Sequence, residues 1–250
     1  PNTDLISNLY YHGVHIDHAS LSQDAGLIFA ASTREIEIIE SLNIDYEIRI
    51  DDLETFYQSR LTDNYTREFG LGSMGGYYTF NEIVENLDIV HNECPNISTE
   101  KISIGQTFEG RDIWAIKFSD NPNEDEAEAE VLYTGLHHAR EPMSYMNLFY
   151  YMHWLCDNYQ TNDEATDIVN NREIWFVPAL NPDGLIYNEI IAPNGGGMQR
   201  KNMRPTCPSD PNGIDLNRNY NYQWGLDDEG SSGNGCDETY RGSTPFSEPE

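Results

Sequence analysis

The sequence predicts an α/β protein in which a mixed, mainly buried β-sheet is flanked by helices and preceded by a small α+β domain. From residue 77 onward, apolar stretches of strand length alternate with stretches of helical periodicity, an order typical of helices packed against a sheet. A glycine-rich segment at residues 70–76 separates this part from an earlier patterned region. We therefore predict two domains, residues 1–72 and residues 73–250.

The composition is that of a folded and strongly acidic protein. The chain has 250 residues, of which 38% are hydrophobic and 12% aromatic, enough for a sizeable core. Its formal net charge of −29 argues against nucleic-acid binding, which needs clustered Lys and Arg, and against binding to an anionic membrane. No stretch reaches the roughly 18 apolar residues of a membrane-spanning helix. The charge favours solubility in an extracellular or salty setting.

The first domain has the pattern of a small βαβ-like unit. Residues 26–31 predict a strand, residues 33–42 a helix that begins after a Ser/Thr cap, and residues 46–50 a second strand.

The second domain is predicted to alternate helices with strands. Helical spacing marks residues 77–92 and 142–158, and strand patterns mark residues 101–108, 112–120, 130–137 and 173–180. A turn at Glu109, Gly110 and Arg111 joins the first two strands. In sheets of this kind ligands gather at the carboxyl ends of strands, and His138 follows such an end.

The polar run after the predicted buried strand at 130–137 contains a candidate zinc-binding pair. His138 and Glu141 lie three positions apart, where the chain can fold both side chains onto one ion. A catalytic zinc takes three protein ligands and a water, with imidazole nitrogen and carboxylate oxygen among its usual ligands at about 2.0 to 2.2 Å. This spacing also occurs by chance, and the alternative for the pair alone is a surface ion pair.

Three further blocks follow in order along the chain. They are Asn-Pro-Asp-Gly at 181–184, Met-Gln-Arg-Lys-Asn at 198–202 and Gly-Ile-Asp-Leu-Asn-Arg-Asn at 213–219. With the His/Glu pair, these blocks resemble the zinc metallocarboxypeptidases of the carboxypeptidase A and B type, in the family's order and approximate spacing. The resemblance covers about residues 77–250 and is specific because four blocks match together.

The resemblance implies a zinc ion and residues that act beside it. His138 and Glu141 match two of the family's three zinc ligands, which implies one zinc ion as cofactor. Arg140, between them, matches a subsite arginine. Arg200 matches the arginine that polarises the scissile carbonyl, and a fixed cation suits that role because it stabilises the oxyanion of the transition state more than the ground state.

The last block implies recognition of a free C-terminus. Asn217 and Arg218 match the pair that holds the substrate's terminal carboxylate in the family. The guanidinium fork of Arg218 can meet a planar carboxylate with two charge-assisted hydrogen bonds, which a lysine could not reproduce, and Asn217 can add a neutral donor. The alternative for Arg200 and Arg218 in so acidic a chain is a solvated or salt-bridged surface position.

We expect the chain to be an incomplete copy of a longer protein. The family's third zinc ligand, a histidine, and its general-base glutamate are expected beyond residue 250, and no histidine follows His153. Ser247, Pro249 and Glu250 have the pattern of a helix start. The 250-residue chain alone is therefore expected to be inactive as a hydrolase.

Cysteine positions give one expected disulfide and one open question. Cys207 and Cys236 match a disulfide that recurs in carboxypeptidases of this type. Cys94 and Cys156 lie near the ends of two predicted helices and could pair or stay as buried thiols, because spacing alone does not fix connectivity.

The placement of the first domain resembles the propeptides of secreted carboxypeptidases, which cover the active-site cleft until they are cleaved. The alternative is a permanently attached accessory domain. Arg60 and Arg67 offer tryptic cleavage points near the junction. An acidic run at residues 124–130 could bind calcium, but it lacks the glycine-punctuated spacing of a calcium loop, which favours a solvated loop.

These observations predict a secreted, monomeric zinc metallocarboxypeptidase that hydrolyses the C-terminal peptide bond of peptides and proteins, without nucleic-acid or membrane partners. The reaction would be metal-assisted hydrolysis in which Arg200 takes up oxyanion charge. One alternative is a related zinc amidohydrolase or deacylase, which should lack the Asn217 and Arg218 pair. The other is a non-catalytic module that binds free C-termini with the same arginines.

Overall fold

The structure, a computed structural model, describes residues 3–14, 16, 19–22, 26–60, 70–208 and 213–250. The chain divides into two compact units, Pro1–Asp51 with Arg204–Ser247, and Asp52–Met203 with Glu248–Glu250. Arg67 and the side chain of Arg60, the expected cleavage points, lie outside what the structure describes.

Within its described residues, the first unit contains two α-helices, a hairpin and one 3₁₀ turn at Leu216–Arg218. Its helices and strands are α1 (Thr3–Tyr11), β1 (Ser20–Ser22), β2 (Gly26–Ile28) and α2 (Thr33–Ser41). Helix α2 begins where predicted because Ser32 and Glu35 form a reciprocal capping box. The core of this unit is formed by Leu9, Val14 and Ile39.

Two local predictions were wrong. Residues 46–50 have no regular structure, and Tyr46 and Ile48 are 45% and 49% exposed. The hydrophobic alternation there finds no partner strand, since β2 pairs antiparallel with β1. The βαβ-like unit is therefore not formed. Residues 247–250 form no helix turn. The domain boundary between residues 72 and 73 stays a prediction.

The second unit contains five helices and four strands within its described residues. They are α3 (Leu53–Arg60), α4 (Phe80–Glu93), β3 (Ile102–Gln106), β4 (Asp112–Phe118), β5 (Ala129–Thr134), α5 (Met143–Asn158), α6 (Asp163–Asn170), β6 (Arg172–Val177) and α7 (Pro182–Ile191). The strands form one sheet in the order β3-β4-β6-β5. Strand β5 is parallel to β6, whereas β4 is antiparallel to both of its neighbours. This mixed sheet with flanking helices confirms the predicted fold class.

The main core lies on one face of this sheet. Ile116 and Phe118 of β4 and Ile174 and Phe176 of β6 join buried residues of α4 and α5 in one cluster. Strand β5 differs from the prediction of a buried strand, since Leu132 is 63% exposed. The physical reason is its place at the sheet edge, where β6 is its only neighbour among the described strands.

Helix α7 was missed by the sequence analysis and is held firmly at its first turn. The carboxylate of Asp183, which is 1% exposed, accepts hydrogen bonds from Thr107 Oγ1 at 2.7 Å, Glu109 N at 3.0 Å and Arg111 Nη1 at 2.7 Å. Burial opposes the charge of Arg111, but its hydrogen bonds and ion pairs with Glu109 and Asp183 raise its pKa. The predicted turn between β3 and β4 is therefore fixed to the start of α7.

Two disulfides cross-link the chain, one in each unit. Cys94 at the end of α4 is bonded to Cys156 in α5, with their Cα atoms 5.4 Å apart, which answers the open question of that pair. The expected bridge between Cys207 and Cys236 is confirmed. No helix in the described part of the chain is long and apolar enough to cross a membrane.

Candidate active site

The loop that follows β5 is held by hydrogen bonds to β6 and to the start of α5. Gly135 N donates to Val177 O of β6 at 2.9 Å. Leu136 adopts a positive φ of 57°, and its N–H donates to Ser144 Oγ at 2.9 Å. Ser144 Oγ in turn donates to Glu141 O at 2.7 Å. The loop therefore has a fixed shape at the carboxyl end of a strand, where the sequence predicted the site.

His138 and Glu141 are brought together by this loop. His138 Nδ1 lies 2.9 Å from Glu141 Oε1. The imidazole is 4% exposed, whereas the Glu141 side chain is 40% exposed. One buried and one accessible ligand atom thus face the same point. Arg140, between them, is partly buried on the same loop.

Arg200 reaches the same point from a distant part of the sequence. Its side chain is 1% exposed, and its Nη1 lies 3.3 Å from His138 Nδ1. The backbone of this segment is tied to the loop, since Ala139 N donates to Arg200 O at 3.0 Å. The structure therefore gathers three of the six predicted site residues, His138, Glu141 and Arg200.

The chemistry of this set fits a metal ion. Nδ1 of His138 lies within hydrogen-bonding distance of an acceptor, Glu141 Oε1 at 2.9 Å, and of a donor, Arg200 Nη1 at 3.3 Å, so either tautomer of the imidazole finds a partner here. The imidazole nitrogen and the carboxylate oxygen are close enough to face one ion. An imidazole binds metals through an unprotonated ring nitrogen. Nitrogen and oxygen ligands of this kind suit zinc.

Asn217 and Arg218 belong to the first compact unit. They lie in a single 3₁₀ turn that Asp215 begins, with its carboxylate accepting from Asn217 N at 3.1 Å. Arg218 Nε donates to Gly230 O at 2.7 Å, and Arg218 is partly buried while Asn217 is exposed. The next residue, Asn219, is 5% exposed.

The side chain of Asn219 anchors this turn to the end of the unit. Its Nδ2 donates to Arg241 O at 2.7 Å and Thr244 O at 3.1 Å. The disulfide between Cys207 and Cys236 encloses the turn in sequence. The turn that carries Arg218 is therefore supported by the polar contacts of its neighbour Asn219.

A cluster of acidic residues lies in the loop between β4 and β5, away from the candidate site in sequence. Asp120, Glu126 and Glu128 each offer a carboxylate oxygen, and these atoms lie within 4.8 Å of one another. Burial and the charges of Glu126 and Asp120 raise the pKa of Glu128. All three residues are partly exposed, and such groups are common without an ion. We assign no ligand to them.

The family is shown by sequence comparison. A family model for zinc carboxypeptidases matches residues 83–250. The chain belongs to the zinc carboxypeptidase family. This confirms the resemblance inferred from the four sequence blocks, and it supports zinc as the family's cofactor.

Similar proteins agree with this family. A zinc carboxypeptidase of Saccharothrix mutabilis subsp. capreolus is 40% identical over 160 residues, which are 64% of this chain and 36% of that protein. Carboxypeptidase A1 of Mus musculus is 31% identical over 242 residues, which are 93% of this chain and 54% of that protein. This zinc carboxypeptidase chain thus spans about half, or less, of the length of the relatives it matches.

The fold comparison gives the same result. The crystal structure of carboxypeptidase A from Helicoverpa armigera has a TM-score of 0.75 and 24% sequence identity, over 99% of this chain and 61% of that chain. The mixed sheet and its helices are therefore the carboxypeptidase fold. The roles of the individual site residues remain predictions.

The residues that hold this site in shape were not predicted from the sequence. Ser144 and Asn181 fix the backbone around His138, and Asn188 fixes the backbone next to Arg200. Asn181 stands in a block that was recognised, but its partners are 44 and 19 positions away. The only local signal was its suitability as a helix N-cap.

Proposed function

We propose that the complete protein carrying this chain is a secreted zinc metallocarboxypeptidase that removes the last residue of peptides and proteins. The observation that carries this proposal is the convergence of His138 Nδ1 and Glu141 Oε1, 2.9 Å apart, beside the buried guanidinium of Arg200 in a chain of the zinc carboxypeptidase family. The remaining ligand and the general base are proposed to lie outside this sequence.

In this proposal His138 and Glu141 hold the zinc ion. Zinc, when bound, supplies a Lewis acid that polarises a carbonyl and activates water near neutral pH. The loop after β5 contributes by presenting both ligand atoms before the metal arrives, since its turn is already fixed by Ser144. Preorganised ligands lose less conformational entropy when the metal binds.

In this proposal the arginines have different partners on the substrate, one at the reacting carbonyl and another at the C-terminal carboxylate. Arg200, fixed and buried, stabilises negative charge that develops on the carbonyl oxygen. Arg218 and Asn217 bind the terminal carboxylate, which selects the last peptide bond over internal bonds. Arg140 contacts the substrate on the other side of the scissile bond. In this proposal an exopeptidase needs both arginines, because Arg200 acts on the reacting carbonyl and Arg218 binds the terminal carboxylate.

The remaining features of the proposal concern the setting. Two disulfides are typical of proteins from oxidising compartments, which supports secretion. We further propose that residues 1–72 act as a propeptide and that the protein is monomeric.

The proposal is tested with the purified complete protein and peptides that end in a free carboxylate. We expect release of single C-terminal residues, seen by mass spectrometry as stepwise shortening, inhibition by 1,10-phenanthroline, and recovery on addition of zinc. Cleavage of internal bonds, or hydrolysis of N-acyl amino acids without any cleavage of peptides, would contradict the proposal. The second result would favour the deacylase alternative.

A further inference from the structure

The side chain of Asn181 is buried between the two parts of the candidate metal centre. It is 0% exposed and precedes α7, where its Oδ1 accepts from Gly184 N at 3.0 Å. This contact is an ordinary N-cap. The other end of the carboxamide makes contacts that a cap does not need.

The Nδ2 group of Asn181 joins two segments that are far apart in sequence. It donates to His137 O at 3.2 Å and to Arg200 O at 3.3 Å. The first carbonyl precedes the zinc-ligand candidate His138, and the second belongs to the residue proposed to stabilise the oxyanion. The buried carboxamide therefore adds to the hydrogen bond between Ala139 N and Arg200 O in holding the loop of His138 against the Arg200 segment.

Packing around Gly184 allows the same close approach. A Cβ atom at this position would lie 2.7 Å from Ala139 Cβ and 2.7 Å from Lys201 O. Any larger residue would push apart the loop and the segment that Asn181 joins. The first turn of α7 therefore packs closely against the loop of His138 and against the Arg200 segment.

Asn188, further along α7, provides a natural comparison. Its Nδ2 donates to Gln199 O at 3.0 Å, and its Oδ1 accepts from Gln199 N at 2.9 Å. It is buried like Asn181. Both of these hydrogen bonds hold the segment that carries Arg200, and neither reaches the loop of His138.

We propose that Asn181 is a positioning residue that fixes the metal loop against the Arg200 segment, so that it governs both zinc affinity and turnover. This inference rests on the proposed function. Groups that orient metal ligands from behind typically contribute 10- to 100-fold in metal affinity or activity. The contact of Oδ1 with Gly184 N stabilises the start of α7, whereas the Nδ2 contacts hold the loop of His138 and the Arg200 segment together.

The two roles are separated by Asn181→Ser in the complete protein. A serine oxygen keeps the capability to cap α7, but the shorter side chain with its single O–H cannot replace both hydrogen bonds that Nδ2 donates to His137 O and Arg200 O. We expect the zinc dissociation constant, measured by competition with a chromogenic chelator, to rise about 10-fold. We expect kcat to fall about 10- to 100-fold while KM changes little.

Asn188→Ser is the matched control, because it disturbs two buried hydrogen bonds that both go to Gln199, beside Arg200, and none to the loop of His138. We expect it to lower the melting temperature about as much as Asn181→Ser and to lower kcat, with the zinc dissociation constant unchanged. Gly184→Ala is a second probe that keeps Asn181, and we expect it to weaken zinc binding as well.

The inference is overturned if Asn181→Ser binds zinc like the parent, or if both serine variants weaken zinc equally. Should Asn181→Ser fail to fold, unchanged zinc affinity in Gly184→Ala overturns it. A parent protein that binds no zinc and cleaves no peptide overturns the proposed function itself, and the inference falls with it. An active parent with a zinc-specific defect in Asn181→Ser supports both.

Discussion

Arg200 Nη1 lies 3.3 Å from Nδ1 of His138, and both side chains are buried. These residues are 62 positions apart in sequence and meet because the backbone of residue 200 is hydrogen-bonded to Ala139. A cation held this close to the imidazole that we propose as a zinc ligand can act on an oxygen at the same point without reorganisation. This arrangement leads to the first prediction.

Replacing Arg200 with alanine should reduce turnover in the complete protein. Because the group stabilises charge that appears mainly in the transition state, kcat should fall about 10²-fold or more, with a smaller effect on KM. Arg172→Ala, which removes an exposed arginine, serves as control and should stay near parental values. Steady-state kinetics in which Arg200→Ala raises KM alone would show that this residue binds the ground state.

Arg218 should discriminate between free and amidated C-termini. Amidation removes an ionic, bidentate partner, so kcat/KM for the amide should fall by about one to two orders of magnitude. Arg218→Ala should lose most of this discrimination, and Arg218→Lys should keep only part of it. The comparison uses matched peptides in initial-rate assays. Equal cleavage of both peptides by the parent would exclude the assigned role and favour the deacylase.

The buried ion pair between Lys117 and Glu173 should make stability pH-dependent. Their side chains are 6% and 4% exposed and 3.0 Å apart. Hydrogen bonding from Glu126 N, followed by the contact with Lys117, lowers the pKa of Glu173 despite its burial. A lowered folded pKa stabilises the fold above the unfolded pKa of about 4.3, and this contribution is lost as pH falls through the folded value.

Glu173→Gln should therefore lower the free energy of unfolding at pH 7 by about 3 kcal/mol, because it leaves Lys117 uncompensated. The difference from the parent should shrink as the pH falls below the unfolded pKa. Urea unfolding at several pH values measures this effect. Lys117→Met with Glu173→Gln should recover part of the loss. An unchanged difference between parent and Glu173→Gln down to the lowest folded pH would contradict the assignment.

The disulfide between Cys94 and Cys156 should contribute to the stability of the second unit. The bonded residues are 62 positions apart, and loop closure of that length corresponds to about 4 kcal/mol in the chain-entropy treatment. Replacing both cysteines with alanine should lower the urea midpoint accordingly. Peptide mapping under non-reducing conditions provides the direct check. Alkylation of either thiol in an oxidised sample would show that the bridge is not formed.

Local sequence signals predicted most of the elements that carry the site. The start of α4 at Phe80, three residues after the predicted start, is set by a capping box between Thr79 and Glu82. The strand before His138 was recognised by its apolar run, although β5 is shorter and more exposed than predicted. The periodicity of polar and apolar residues thus predicted where the elements lie better than it predicted how deeply they are buried.

Features that depend on distant contacts were not predictable in the same way. Tyr46 and Ile48 alternate like strand residues, but the pattern cannot report that no partner strand is available. The sequence around Asn181 predicts a helix N-cap. Its hydrogen bonds to the carbonyl oxygens of residues 137 and 200 arise because these residues lie beside it in the fold. Arg200 and His138 could be named from the resemblance, whereas their distance required the structure.

The zinc content of the complete protein tests the central claim most directly. After dialysis against metal-free buffer, mass spectrometry should find about one zinc per chain in the parent and in His153→Ala, whose imidazole pairs with Glu93 at 2.8 Å. His138→Ala and Glu141→Gln should retain little zinc and no peptidase activity. A full equivalent of zinc in His138→Ala, with activity preserved, would contradict the account.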